Sequence, residues 1–150
     1  MPTPTVRVVD VYPYRNESVN PEFLILRRAP DTSYAGQWRM VGGKIEPDEE
    51  AWKTGLREVK EETGQAPGRF WALPSVNAFY EWQTDRVNLA PAFAAALSGD
   101  PVLDDEHDQF AWLPAREAAQ RLAWPEQKRL LRLADRVLRT GVPPRLIVER

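Results

Sequence analysis

Apolar residues along this chain follow two rhythms, and the switches between them set out the expected elements. Dense runs of β-branched, aromatic and aliphatic types at residues 6–12 and 22–28 predict two strands, parted by a polar turn over residues 15–20. Residues 38–41 read as a short strand, and residues 70–83 and 87–97 as the arms of a hairpin turning at Thr84 and Asp85. Residues 110–113 predict one more short strand. A helical rhythm takes over after Pro47, where Asp48, Glu49 and Glu50 suit the positive end of a helix dipole, and it stops at Gly64. Within it Ala51, Leu56 and Val59 are core candidates, and Gly55 in the helix interior predicts close packing against a strand. A short helix is expected over residues 114–120. A longer one is expected over 125–139, with Leu130, Leu131, Ala134, Val137 and Leu138 on one face and Gly141 past its end. Pro143 and Pro144 open an extended tail.

The charges at the end of the first helix change the picture. Glu58, Glu61 and Glu62 stand at i, i+3 and i+4 and project from one face. Gly64 sits where a left-handed cap stops the helix, so the three acids crowd its last turn, at the negative end of the macrodipole. Alone, such spacing describes a solvated face. Here it closes a longer string: Gly43, five residues, Glu49, seven residues, then Arg57, Glu58, Val59, Lys60, Glu61, Glu62, Thr63 and Gly64.

That string resembles the Nudix box of the Nudix hydrolases, Gly-x5-Glu-x7-Arg-Glu-U-x-Glu-Glu-x-Gly-U with U a bulky aliphatic, and every specified position matches through Gly64. The last U is Gln65, a departure expected to bear on packing behind the helix rather than on ligands. The resemblance implies an α/β fold, an α/β/α sandwich with a mixed β-sheet between helices. It also implies hydrolysis of a nucleoside diphosphate linked to another group, by water attack on phosphorus, with Mg2+ or Mn2+ bound at the box. Hard divalent cations favour carboxylate oxygens and neutralise phosphate oxygens, which suits a dense anionic turn. Carried over by position, Glu58 and Glu62 are the expected direct ligands, Glu61 lies beside them, the Gly42 carbonyl is a further ligand, and Glu58 is the expected base. Arg57 and Glu49, eight apart on what reads as one helix face, are expected to pair and to orient loop and helix.

Composition narrows the partners. The 150 residues, 43% of them hydrophobic, read as one domain over 1–150 large enough to bury a core. A net charge of −2 gives no general attraction for nucleic-acid polymers or membranes, and no apolar run approaches the ~20 residues of a membrane span. The absence of cysteine excludes disulfides and thiol catalysis. A small phosphorylated molecule is the expected partner, in the cytoplasm, with Leu146, Ile147 and Val148 in the tail leaving a homodimer open.

Outside the box, Glu106, His107, Asp108, Gln109, Phe110, Ala111, Trp112 and Leu113 resemble a segment of the dihydroneopterin triphosphate pyrophosphohydrolases and related nucleoside triphosphate pyrophosphohydrolases. The resemblance makes Glu106 one more metal ligand or base. The sole histidine, His107, is expected to pack or cap that loop. Arg27, at a strand end, and Lys44, beside the box glycines, are candidates for substrate phosphates. Trp38, Trp82 and Trp124 are candidates to stack on a planar base. The expected substrate is a nucleoside or pterin triphosphate, cut to a monophosphate and pyrophosphate. A dinucleoside polyphosphate is the alternative, on the strength of Tyr80. ADP-ribose hydrolysis and a catalytically silent binding fold are weaker readings, the last because every box glutamate is present.

Overall fold

In a computed structural model that describes residues 1–150, the hydrophobic runs assemble into one mixed sheet of eight strands: β1 (Thr3–Thr5), β2 (Val8–Arg15), β3 (Glu22–Arg28), β4 (Trp38–Arg39), β5 (Val41–Lys44), β6 (Phe70–Glu81), β7 (Arg86–Ala96) and β8 (His107–Pro114). Three helices cover it: α1 (Ala51–Thr63), α2 (Ala115–Arg121) and α3 (Pro125–Thr140). β2 lies at the centre, parallel to β7 and antiparallel to β3 and β5; β1 adds to β7 in parallel, β6 pairs antiparallel with β7, and β8 with β3.

β2 and β3 are buried on both faces, which is why they read as nearly continuous apolar runs. Val9, Val11, Leu24, Leu26, Val41, Phe70 and Phe93 meet Val59 of α1 on one side. Tyr12, Tyr14, Phe23, Ile25 and Trp71 meet Leu130, Leu131, Ala134 and Leu138 of α3 on the other. Two helical layers thus enclose the sheet, as the resemblance implied.

Several boundaries differ from the sequence reading, each for a local reason. The first strand begins at Val8 and runs through Pro13 to Arg15, and residues 3–5 form a strand of their own against β7. Residues 38–41 are two strands: the chain leaves β3 after Arg39 and joins β2 at Val41, and between them the Met40 N–H donates to the Gln127 side chain (3.2 Å) instead of to a ladder. β8 starts three residues early because His107 and Gln109 pair with Arg28 and Arg27 across a bulge. α1 begins only at Ala51, after Asp48 at φ +63°, so the acids at 48–50 precede the helix instead of filling its first turn. The tail folds back on its own chain: the Val148 N–H donates to the Phe70 carbonyl (2.8 Å) and Ile147 bridges to Trp71. No helix is long and apolar enough to cross a membrane.

Gly55 behaves as its position suggested. A Cβ there would come within 2.9 Å of Phe70 Cζ and 3.3 Å of Phe93 Cδ2, two rings stacked at 5.1 Å that cannot yield together. Gly55→Val is expected to lower stability by about 1–3 kcal/mol through overpacking. Urea unfolding of the variant measures it, and an unchanged midpoint would contradict the packing described.

Candidate active site

The last turn of α1 sets the site. Gly64 ends the helix at φ +76°, and its N–H donates to the Lys60 carbonyl (2.9 Å), a left-handed cap that only glycine adopts cheaply. Glu58 and Glu62, one turn apart, point inward with 12% and 5% of their side chains exposed, whereas Glu61 is 54% exposed. β5 lies across them. A Cβ on Gly43 would overlap the Glu58 carboxylate, and one on Gly42 would come within 2.6 Å of the Val9 carbonyl. Both glycines are therefore required by close approach. The Gly42 N–H donates to Glu62 Oε2 at 3.2 Å.

Arg57 ties this arrangement together. Its Nε and Nη2 donate to the two oxygens of Glu49 at 3.0 Å each, Nη2 also reaches the Lys44 carbonyl at 3.0 Å, and Nη1 reaches Glu58 at 2.8 Å and Glu61 at 3.3 Å. The expected pair with Glu49 is present, but Glu49 sits in the loop before α1 and not on its face. Glu49 also accepts from Thr54 Oγ1 (2.6 Å) and from the Glu46 N–H (3.1 Å), and Arg57 first, then Thr54, hold its carboxyl down at about 2.

The inward acids have the opposite tendency. Burial pushes Glu62 well above the usual carboxylate range, and the Glu58 carboxyl beside it adds to the rise against the opposing Gly42 N–H. Glu58 is raised too, again mainly by burial. Two desolvated carboxyls side by side disfavour a second negative charge. Behind them lies His107, buried, with Nδ1 2.8 Å from Asp104 Oδ1 and Nε2 3.6 Å from Glu62 Oε1. It caps the 104–107 loop as expected, and it also backs Glu62, which its position in the sequence did not reveal.

These groups line a cavity of about 990 Å³ together with Lys44, Glu61 and Glu106. Glu106 is 63% exposed and pairs with Arg28 at 3.2 Å. Several sequence expectations fall elsewhere. Arg27 is outside the cavity in a two-pronged pair with Asp108 (2.9 and 2.8 Å), while its neighbour Arg28 lines it. Alternation along β3 sends adjacent side chains to opposite faces, so only one of the two arginines can face the acids. Trp38 packs into the α3 side of the core beneath Arg121. Trp82 is exposed at the hairpin end, where the Tyr80 hydroxyl donates to Asp85. Trp124 does not line the cavity; its ring meets edge to face that of Tyr34, which does. Gln65 does not pack behind the helix; its side-chain amide bonds to the carbonyls of Gly99 and Asp100 and accepts from the Ser98 N–H. The sequence reading missed Asp10, Tyr34 and Arg39 as lining residues. Asp10 alone carried a signal, as a lone acid inside an apolar strand.

Residues 1–134 match the family model of the NUDIX domain. The chain belongs to the NUDIX family. It is 31% identical over 104 residues to a Mycobacterium tuberculosis (strain CDC 1551 / Oshkosh) protein named as a mutator protein, MutT4, covering 67% of this chain and 42% of that one. It thus spans less than half the length of that relative. It is 26% identical over 105 residues to the nucleoside triphosphatase NudI of Klebsiella pneumoniae (strain 342), covering 63% of this chain and 74% of that one. The E. coli dihydroneopterin triphosphate pyrophosphohydrolase superposes with a TM-score of 0.69 at 21% identity, over 91% of this chain and 96% of that one, a likeness of NUDIX fold.

Two predictions arise from this geometry. Gly43→Ala is expected to displace the Glu58 carboxylate and to lower turnover steeply, at a cost to stability too small to unfold the protein; a fully active variant would refute the close approach. For pH, the native state holds the Glu62 and Glu58 protons, and that of Asp10, to higher pH than the unfolded chain does. No cost exists below the unfolded value near 4.5, and stability falls as pH rises from there through the native values. Calorimetry in a chelator should show that fall, and Glu62→Gln should make it shallower. An equal slope in the variant would be the contrary result.

Proposed function

We propose that this protein is a divalent-metal-dependent pyrophosphohydrolase that cuts a nucleoside or pterin triphosphate into a monophosphate and pyrophosphate. The observation that carries the reading is the desolvated pair Glu58 and Glu62, pressed against a backbone from which Gly42 and Gly43 have removed every side-chain atom. The family and the names of two similar proteins, a nucleoside triphosphatase and a dihydroneopterin triphosphate pyrophosphohydrolase, support the substrate class.

The donor set fits a hard cation such as Mg2+ or Mn2+. It consists of carboxylate oxygens and a backbone carbonyl at Gly42, with no sulfur. No three His, Asp or Glu side chains converge on one point, so Glu58 and Glu62 form the nucleus of the site. Glu61 and Glu106, both more than half exposed, have the freedom to swing toward it. When bound, a divalent ion supplies charge neutralisation at the phosphate oxygens and lowers the pKa of coordinated water.

The chain's own residues do the rest. Arg57 holds Glu58 from behind and keeps the glycine loop in register with the helix. Glu58 takes the water proton in this reading, from a position where burial already raises its basicity. Lys44 and Arg28 line the cavity and are placed to bind outer phosphate oxygens, the role the sequence suggested for Arg27. In-line positioning of water and phosphorus is then the main contribution of the fold. Tyr80, the residue that suggested the dinucleoside polyphosphate alternative, is exposed on the hairpin and does not line the cavity.

Incubation of nucleoside triphosphates and dihydroneopterin triphosphate with Mg2+ in heavy-oxygen water, reading pyrophosphate and phosphate separately, tests this reading. Pyrophosphate with label at one defined phosphorus is expected. Glu58→Gln and Glu62→Gln should each cut turnover by about a hundredfold or more while the fold persists. Glu106→Gln should depress turnover, whereas Asp105→Asn and Asp108→Asn do little. Release of phosphate alone, or near-normal rates in the box variants, would remove the assignment.

A further inference from the structure

The cavity also holds a group of lining residues around Asp10 that the hydrolytic reading leaves unused, and Asp10 stands beside Gly42, whose N–H donates to Glu62. Asp10 sits in the middle of β2 with 7% of its surface exposed, and it lines the cavity. Its oxygens are held by two amides: Gln127 Nε2 donates to Oδ1 at 3.3 Å and Asn77 Nδ2 to Oδ2 at 2.7 Å. Gln127, also buried and lining the cavity, is itself fixed by the Met40 N–H. Each carboxylate oxygen has two acceptor sites and each amide takes one, so one on each oxygen is left for a ligand, with the buried Tyr12 hydroxyl, otherwise without a partner, beside the carboxylate.

Arg39 lines the same cavity. Its guanidinium lies over the Tyr34 ring at 4.8 Å and the Trp124 ring at 5.6 Å, and these rings meet edge to face at 5.7 Å. It makes neither a side-chain hydrogen bond nor a salt bridge within the chain, and burial lowers its hold on its proton against the nearby Asp10 charge. A partly exposed guanidinium with no acceptor in the chain has its donors free for a ligand. Tyr34 is also under strain: it lies at φ +59°, is half exposed, and is kept there by the Gln37 N–H donating to its carbonyl (3.0 Å) and by the Gly36 N–H donating to Arg28 (2.9 Å). Left-handed backbone at an aromatic residue on a cavity wall points to a side chain held out for a purpose.

We infer that this part of the cavity is a base-recognition subsite for a planar heterocycle with a 2-amino-4-oxopyrimidine edge, the edge that guanine and pterins share. Its ring N–H and exocyclic amino group donate to the two free acceptor sites of Asp10, its carbonyl oxygen accepts from Arg39, and its ring packs on Tyr34. Adenine places an acceptor nitrogen where this edge has its N–H, setting a lone pair against the carboxylate. The inference rests on the triphosphate reading only for which end of the ligand faces Glu58 and Glu62.

Titration calorimetry with GMP, IMP, AMP and dihydroneopterin monophosphate tests it without turnover. GMP or the pterin monophosphate is expected to bind about tenfold or more tightly than AMP, with IMP, which lacks the 2-amino group, in between. Which of the first two is tighter identifies the source of the edge. Asp10→Asn should erase the preference for GMP over AMP. Because Asp10 is buried, Arg39→Gln and Tyr34→Ala provide the second arm: neither side chain holds the fold through a hydrogen bond, and each should weaken GMP binding about tenfold. AMP binding as tight as GMP, or a preference that survives both Asp10→Asn and Arg39→Gln, would overturn the subsite. Selective GMP binding without hydrolysis of any triphosphate would sink the proposed reaction and leave the subsite standing. Hydrolysis indifferent to the base would do the reverse.

Discussion

The Arg57 guanidinium is the contact on which the site's geometry depends. It reaches Glu49 in the loop before α1, the Lys44 carbonyl at the end of β5, and Glu58 and Glu61 on its own helix. A planar fork of fixed donors can bind several such acceptors at once, which the flexible point charge of lysine cannot. Loop, strand end and helix are thereby locked in one register. The consequence is visible at Gly43, where the Glu58 carboxylate fills the space a Cβ would need.

That register places charge where water is scarce. Glu49, gripped by Arg57 and Thr54, is held far below the ordinary carboxylate range, while burial and each other's company raise Glu58 and Glu62. The two sets of acids come from one motif and titrate in opposite directions, because Arg57 stands between them and donates mainly to the first. A site with desolvated carboxyls whose charge is only partly offset stores unfavourable energy in the unliganded fold, and a cation that binds only the folded state returns it as stability. Asp10 on β2 shows the same physics, tempered by two amides, the Arg39 charge and the Tyr12 hydroxyl.

The sheet makes both groups face one space. β2 carries Asp10, and β5 beside it carries Gly42 and Gly43, with Asp10 and Gly42 in register across the pair. The partner switch at Met40 lets one short stretch of chain send Arg39 toward the Tyr34 loop and Gly42 toward α1. Gln127, in the first turn of α3, caps that switch and fixes Asp10 with the same side chain. A polar cavity is built in this way between two apolar layers, with Asp10 held by two amides while the buried Tyr12 hydroxyl and Asn77 Oδ1 beside it have no hydrogen-bond partner.

What the sequence determined by itself is whatever depends on near neighbours in the chain. The α1 acids share a face because of helical period, Gly64 ends the helix because only glycine accepts its backbone cheaply, and the apolar runs mark the strands because they are buried on both sides. The box spacing was legible for the same reason: its parts lie within one loop and one helix. The packing role of Gly55 was legible too, since a glycine in a helix interior signals contact with something. The choice between Arg27 and Arg28 was not, because a bulge and the pairing with β8 decide which side chain faces the cavity. Nor were the entry of Glu49 from outside the helix, the backing of Glu62 by His107, or the meeting of Asp10, Asn77 and Gln127. Glu49 apart, those residues pair across 45 to 117 positions of the chain. Only the packing of sheet against helices could decide them, because hydrogen bonds and desolvation act through space and carry no trace in local sequence.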